Sequence, residues 1–296
     1  LHLVRRGLPI QLSDKSFPDA INLVDGVSLH KQTLRRDCFY VGCRSDGPYP
    51  GVCQVVIQQN SLPQPGGPAT YIPQWTQPGL IPREPSREGI ETIGFLGDAE
   101  HNLEASFQSK EFAAEMRSLG VTLLVRGKNG ERVQWNDYSD IDLIVAVRNL
   151  PRKYLQLKPP NKLINAWLAG VPAMLGPEPA YRAIRRSDLD YIEVRHPADV
   201  RRAIQTLRRD PKLYDRIVQN GRNRAREYDD DAVANRWLEV LSEIEGNFHR
   251  WRDLGPFQRF RDYASRWARY RIARTRHRRT VGRYYRRHKR EGTRRG

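Results

Sequence analysis

Residues 135–178 read WNDYSDIDLIVAVRNLPRKYLQLKPPNKLINAWLAGVPAMLGPE, and this stretch decides the fold class. The apolar run 141–147, punctuated by Asp140 and Asp142 at its start, has the composition of a buried strand. A basic loop follows and stops at Pro159-Pro160. Residues 161–169 then carry apolar side chains at helical spacing: Leu163, Ile164, Trp167 and Leu168 form a core stripe, while Lys162, Asn165 and Ala169 share another face. Small Ala166 and Ala169 allow a neighbour to approach closely, and Gly170 closes the helix. A second apolar run, 172–175, ends on Gly176-Pro177-Glu178. Strand, loop, helix and strand make one crossover of a parallel sheet, and ligands of such sheets bind where the strands run out.

The same alternation continues on both sides. Patterns at 92–96, 121–125 and 191–194 predict strands, and those at 108–119, 198–209, 212–228 and 231–245 predict helices, so the region is α/β with a parallel sheet. Before it, the short apolar runs 20–24, 38–41 and 52–57 suit buried strands, separated by turns such as Ser45-Asp46-Gly47-Pro48. Residues 60–86 are rich in proline and glycine and read as a linker, in which Tyr71-Ile72-Pro73-Gln74-Trp75 can dock on a domain. The expected division is 1–90, 91–248 and a tail at 249–296.

The net charge of +17 over 296 residues belongs almost wholly to that tail. From Arg250 onward 18 Lys and Arg face three acids, which leaves the other 249 residues near neutral. No apolar run approaches the roughly 20 residues that span a bilayer, and no signal peptide is expected ahead of the body. The chain starts at Leu1, so a short initial segment is expected to be missing. Cys38, Cys43 and Cys53 are odd in number and lack a CxxC pair, which favours reduced thiols in the cytoplasm over a disulfide framework or a zinc site.

Lys158-Pro159-Pro160-Asn161-Lys162-Leu163-Ile164-Asn165-Ala166, followed by Ala169-Gly170-Val171-Pro172, resembles the donor-sugar-nucleotide segment of GT-B glycosyltransferases. Those enzymes carry a similar lysine, helix, Ala-Gly-x-Pro and strand before an acidic residue. Tyr138-Ser139-Asp140-Ile141-Asp142 is similar to the family's approach to the preceding strand, and the resemblance spans residues 92–241. It implies two Rossmann-like domains with a reduced first domain, a nucleotide-sugar donor bound by the second, and no cofactor. Three departures stand out. Asn165 occupies a position where many members have glutamate, and the usual Gly-Gly-x-x-Glu is shortened to Gly176-Pro177-Glu178. The loop Gly97-Asp98-Ala99-Glu100-His101-Asn102 lacks the arginine–lysine pair that holds the diphosphate in many members.

A leaving nucleoside diphosphate gains negative charge as the glycosidic bond breaks, so its site needs cations or helix N-terminal amides. Lys162, in the first turn of its helix, conflicts with the helix dipole, and a bound anion relieves that conflict. A solvated lysine on an amphipathic helix is the competing reading. Arg126 and Lys128 follow a strand, and they and Lys158 either reach the same edge or remain solvated. Glu178 is the candidate for the ribose hydroxyls, and Asn165 completes the substrate-binding set with Lys162, Glu178, Arg126, Lys128 and Lys158. Tyr181 stacks on a base or packs its helix, and Asp98 and His101 lie in the first loop of the second domain. An inverting enzyme needs a general base, and the resemblance to GT-B enzymes implies that it lies in the first domain, where Asp14, Asp19, Asp25 and His30 are the pool and nothing selects among them. Asp140-Ile141-Asp142 leads into a strand rather than sitting in a loop, so transfer is expected to be metal-independent.

In the tail, Phe260, Tyr263, Trp267 and Tyr270 recur at helical spacing among arginines, and 274–295 is nearly devoid of apolar residues and expected to be disordered when free. An interfacial helix on anionic lipid through 257–295, packing back on the first domain, and nucleic-acid binding are the three readings. The expectation is a glycosyltransferase of the cytoplasm, held peripherally at a membrane, with an unknown acceptor. The alternative is a non-catalytic GT-B-like protein that binds lipid or nucleic acid through its tail.

Overall fold

The computed structural model describes residues 2–63, 66–127 and 134–292, with the backbone alone at 100, 101 and 281–292. These form two compact units. The first takes the chain up to Pro73, Leu157–Pro159 and the chain from Ala234 onward; the second is Gln74–Gln156 with Pro160–Val233.

The first unit holds a parallel sheet of β1 (Ile21–Asp25), β2 (Phe39–Arg44), β3 (Val55–Gln58) and β4 (Thr70–Tyr71), in that spatial order. β1 to β3 are the three apolar runs of the sequence. β4 lies in the stretch read as linker, and the next residue, Ile72, is buried. Parallel neighbours usually need a helical crossover, yet among the described residues the connections between these strands carry no α-helix, only a 3-10 turn at Leu29–Lys31.

The second unit follows the alternation expected of it. In chain order it runs β5 (Thr92–Leu96), α1 (Ala99–Asn102), α2 (Lys110–Ser118), β6 (Thr122–Arg126), β7 (Leu143–Ala146), α3 (Arg152–Leu155), α4 (Asn161–Ala169), β8 (Ala173–Leu175), α5 (Pro179–Ile184), β9 (Ile192–Glu193), α6 (Pro197–Arg209) and α7 (Pro211–Ala225). The sheet is parallel throughout, in the order β6-β5-β7-β8-β9. Leu163, Ile164, Ala166, Trp167 and Ala169 are the buried face of α4, and Gly170 ends it at φ 70°. Leu168, expected in the core stripe, is only half-buried, because α4 turns its small residues inward instead. The Trp167 indole donates to the Asp190 carbonyl at 2.8 Å, and Gly221 of α7 lies so close that a Cβ there would sit 2.9 Å from the ring.

Asp142 closes the opposite edge, where the strands begin. It is fully buried and accepts from the amides of Glu91 and Thr92, each at 2.8 Å, and from Arg83 and Arg87. Burial alone would raise its carboxyl, but the Arg87 bond, the two amides and the Arg83 charge outweigh it and hold it below the usual carboxylate range. A lowered acid stabilises the fold above the ordinary aspartate range, and that contribution fades as pH falls through the lowered value. Arg83 comes from the proline-rich stretch and Arg87 lies just beyond it; the stretch is further bound where Ile81 donates to the Asn136 carbonyl at 2.7 Å and accepts from the Tyr138 amide at 2.9 Å. Its second half therefore belongs to the second unit, and the division falls at Pro73 rather than at residue 90.

Two helices remain, α8 (Asp230–Arg252) and α9 (Pro256–Gly292). Successive residues of a strand face opposite sides of its sheet. Phe39 packs edge-on against Phe248 and Trp251 of α8, with ring centroids 5.6 and 5.8 Å away. Tyr40, next in β2, shares a buried cluster with Leu29, Cys38, Val52, Cys53 and Tyr270 of α9. The helices that the crossovers lack are thus supplied by the C-terminal part of the chain. Tyr263 donates to the Leu34 carbonyl at 3.3 Å and Arg266 to the Cys53 carbonyl at 3.1 Å, so the inner face of α9 is a packing face. The expected disorder from 274 onward is corrected as far as 292: arginine is a good helix former, and α9 continues to Gly292. Among the described residues no helix is long and apolar enough to cross a membrane.

Truncating a fully buried aromatic costs about 3–5 kcal/mol. Tyr270→Ala is therefore expected to lower stability in urea by about 3 kcal/mol, whereas a tail that served only as a surface anchor would leave the midpoint unchanged.

Candidate functional site

In the second sheet the connection from β5 leads to β6 on one side, and that from β7 leads to β8 on the other. The strand order reverses between β5 and β7, which makes the C-terminal end of that pair the switch point where such folds bind ligands. β5 ends at Leu96, and Gly97 follows at φ 155°, a conformation that suits glycine. A Cβ at Gly97 would lie 3.1 Å from Lys162 Nζ and 3.3 Å from the Phe95 ring. Lys162 reaches this point from the first turn of α4 and donates to the Leu96 carbonyl. Its ammonium stands over the rings of Phe95 at 4.7 Å and Trp135 at 5.3 Å. An aromatic face attracts a cation and orients it.

β8 leads to Glu178, which precedes α5 and is 1% exposed. Its carboxylate accepts from Arg148 Nη1, and the same nitrogen donates to the Tyr181 hydroxyl at 3.2 Å. Tyr181 is buried, and burial pushes its phenol up against the opposing charge of Arg148. Tyr181 therefore packs its helix. Arg148 was not anticipated, although its position just after the apolar run of β7 was a signal that it belongs to this edge. Breaking such a buried pair leaves an uncompensated charge, so the pair fixes the loop after β7 against the start of α5.

The other expected residues divide. Arg126, the last residue of β6, is held by Asp140 Oδ1 at 2.7 Å and Asp137 Oδ2 at 3.1 Å. Asn165 lies one turn along α4 from Lys162 and hydrogen-bonds the buried Tyr138 hydroxyl. Lys158 is not with them: it belongs to the first unit and pairs there with Asp46. The preceding Leu157 and the two residues after it follow the first unit, and the chain returns to the second only at Pro160. Lys128 lies outside the described residues, as does the side chain of His101.

In the first unit, Asp25 at the end of β1 accepts from the amides of Val27 and Ser28 at 3.1 and 3.0 Å, and the His30 ring lies 3.1 Å from the Val27 carbonyl. Asp14 and Asp19 precede β1 and are exposed. A cleft of about 470 Å³ opens in the second unit between α2 and β6, walled by Phe107, Ala113, Leu123 and Val125, with Arg117 its one charged lining residue among those described. It offers too few donors for a diphosphate. Among the described residues no three His, Cys, Asp or Glu side chains assemble as a metal cage.

No family model matches the chain, and no curated protein sequence matches it. Among solved structures it is similar to Anabaena HepE in complex with UDP-glucose, at a TM-score of 0.52 and 13% identity over 70% of this chain and 72% of that one. The same protein in complex with UDP matches at a TM-score of 0.51, again at 13% identity over 70% and 72%. Sucrose-phosphate synthase from Thermosynechococcus elongatus is similar at a TM-score of 0.48 and 14% identity, over 77% of this chain and 74% of that one. The likeness to HepE shows that this chain has the GT-B glycosyltransferase fold.

Proposed function

We propose that the protein is a glycosyltransferase that moves a sugar from a nucleotide-activated donor, bound by the second unit, to an acceptor. The observation that carries this reading is the placement of Lys162, in the first turn of α4 with its ammonium at the end of β5 beside Gly97. At this point the N–H groups of α4 and a cation converge on the edge where the fold binds nucleotides. Lys162 is the group that stabilises the departing diphosphate. Glu178, fixed by Arg148, is the acceptor for the ribose hydroxyls, and Asn165 supports the helix through Tyr138. HepE was solved with UDP and UDP-glucose, which makes a uridine donor the first to try. We read the transfer as metal-independent because Asp140 is taken by Arg126 and Asp142 by Arg83 and Arg87. The alternative, a binding protein on the same scaffold, differs in having no donor affinity.

Calorimetric titration with UDP-, GDP-, dTDP- and CMP-sugars tests this. Saturable binding of one nucleotide is expected, and a charge-assisted contact is worth about 1.5–3 kcal/mol, so Lys162→Ala should weaken it by roughly ten- to a hundredfold. Binding of none of them sinks the donor site.

A second reading concerns α9. Its inner face packs, but Phe257, Phe260, Trp267 and Ile272 are exposed. Between residues 257 and 280 it carries nine arginines against one acid, Asp262, which is itself paired with Arg266. Exposed aromatics beside unbalanced arginine match an anionic lipid surface in both charge and polarity. We place the protein in the cytoplasm, in keeping with three free thiols, and peripherally at such a surface. Co-sedimentation with phosphatidylglycerol vesicles should exceed that with phosphatidylcholine and drop several-fold in Phe257→Ser/Trp267→Ser. Equal sedimentation with both lipids, or retention on RNA alone, would overturn the lipid reading.

A further inference from the structure

The C-terminal edge of the first sheet contains a buried cation that the donor reading does not use. Arg44 is the last residue of β2 and is 4% exposed. Its Nε donates to the Gly47 carbonyl at 3.1 Å, and its guanidinium lies over the Tyr49 ring at 5.7 Å. Nη1 is buried and has no hydrogen-bond partner among the described residues. Gln58, which sits opposite Arg44 in the β2–β3 register, is 5% exposed. Its amide nitrogen donates to the carbonyls of Asn60 and Leu62 at 2.7 and 3.0 Å, while Oε1 is buried without a partner. The cross-strand pair therefore presents an unused charged donor and an unused acceptor.

Such groups are costly to bury, and folds retain few of them. The acid whose charge Arg44 feels is Asp46, but Asp46 is taken by Lys158 Nζ at 2.5 Å. Burial alone would raise the Asp46 carboxyl, but the Lys158 charge and bond outweigh it and hold it below the usual carboxylate range, so it stays ionised at neutral pH. His277 of α9 stands against Arg44, Asp46 and Lys158, and burial followed by the Arg44 charge holds its imidazole below the usual value. Burial pulls Arg44 down to about 10, so it is still charged at neutral pH. Two cations, one carboxylate and a neutral imidazole leave the cluster with a net positive charge. Asp46 and Lys158 reach solvent, with side chains 39% and 21% exposed.

We infer that this cluster is a binding site for a phosphate ester, with Arg44 Nη1 donating to a phosphate oxygen, Lys158 and His277 beside it, and Gln58 Oε1 accepting from a hydroxyl of the same ligand. Arginine's fork suits phosphate, and the acceptor on Gln58 suits a P–OH or an alcohol. That the ester belongs to the acceptor of sugar transfer rests on the glycosyltransferase reading; the binding of phosphate does not.

The test is calorimetric titration of the whole chain with glycerol 3-phosphate at about 0.15 M salt, where distant surface charges are largely screened, with no nucleotide sugar present. One saturable site is expected. Arg44→Gln should weaken it at least about tenfold, the loss that a charge-assisted bond predicts. Asp46→Asn should tighten it several-fold by removing the repelling carboxylate. Acetate should bind more weakly than the ester. A dispersed short-chain phosphatidic acid presents the same group on a lipid: tighter binding of it identifies a headgroup as the source, and tighter binding of glycerol 3-phosphate a free ester. The proposal fails if no saturable binding occurs, or if both variants bind as the parent does, since the phosphate then sits on surface arginines. Should Arg44→Gln not fold, Asp46→Asn decides alone: tighter binding supports the site and unchanged binding removes it.

Discussion

A parallel sheet has to be covered on both faces, because its hydrogen-bond pattern and crossover connections leave no face that water can serve. Both units of this protein are organised by that requirement and meet it differently. In the second unit the crossovers themselves provide the cover, with α4 and α7 locked by Trp167 against Gly221. In the first unit the described residues of the connections between strands hold no α-helix, and the cover comes from the other end of the chain. Phe39 turns to α8 and its neighbour Tyr40 to the cluster that contains Tyr270. A basic helix that looks like an appendage in composition is therefore part of the first unit's core along one face, and exposed aromatic and cationic along the other.

The same constraint locates the chemistry. When every strand of a sheet points the same way, every strand ends on one edge, and the loops there are free to differ. At the edge of the second sheet stand Lys162, Arg148 and Glu178; at the edge of the first stand Arg44 and Gln58. Their electrostatics differ. Arg148 and Glu178 neutralise one another and hold a backbone in place, as Arg126 does with Asp137 and Asp140. Lys162 is oriented by a carbonyl and two rings at the end of β5. Arg44 is buried with a nitrogen unused. Asp142 does the converse work at the far edge, where a carboxylate ringed by two arginines and two amides joins the proline-rich stretch to the strands.

Much of this was legible in the sequence, and the reasons are local. Residues 161–169 are helical in the structure over the range that the apolar spacing and Gly170 imply, because the stripe and the stop signal agree. The strand at 92–96 is likewise where its composition puts it. What was not legible depended on distant partners. Nothing in the composition of 60–86 or of the residues just beyond says that Arg83 and Arg87 seek an aspartate more than fifty residues on. Tyr270 repeats at the same spacing as Phe260 and Trp267, yet it is buried and they are exposed, because only the facing strand β2 tells one side of α9 from the other. Lys158 and Lys162 are one helical turn apart in number but belong to different units, since Pro159-Pro160 redirects the chain between them.

The central claim is that the edge formed by the ends of β5, β7 and β8 holds the donor. Hydrogen exchange of the whole protein with and without UDP addresses it most directly. The account predicts slowed exchange at residues 97–102, 161–166 and 176–182, with β1 to β4 unaffected. Slowing confined to the first unit, or no change anywhere at saturating nucleotide, would contradict it.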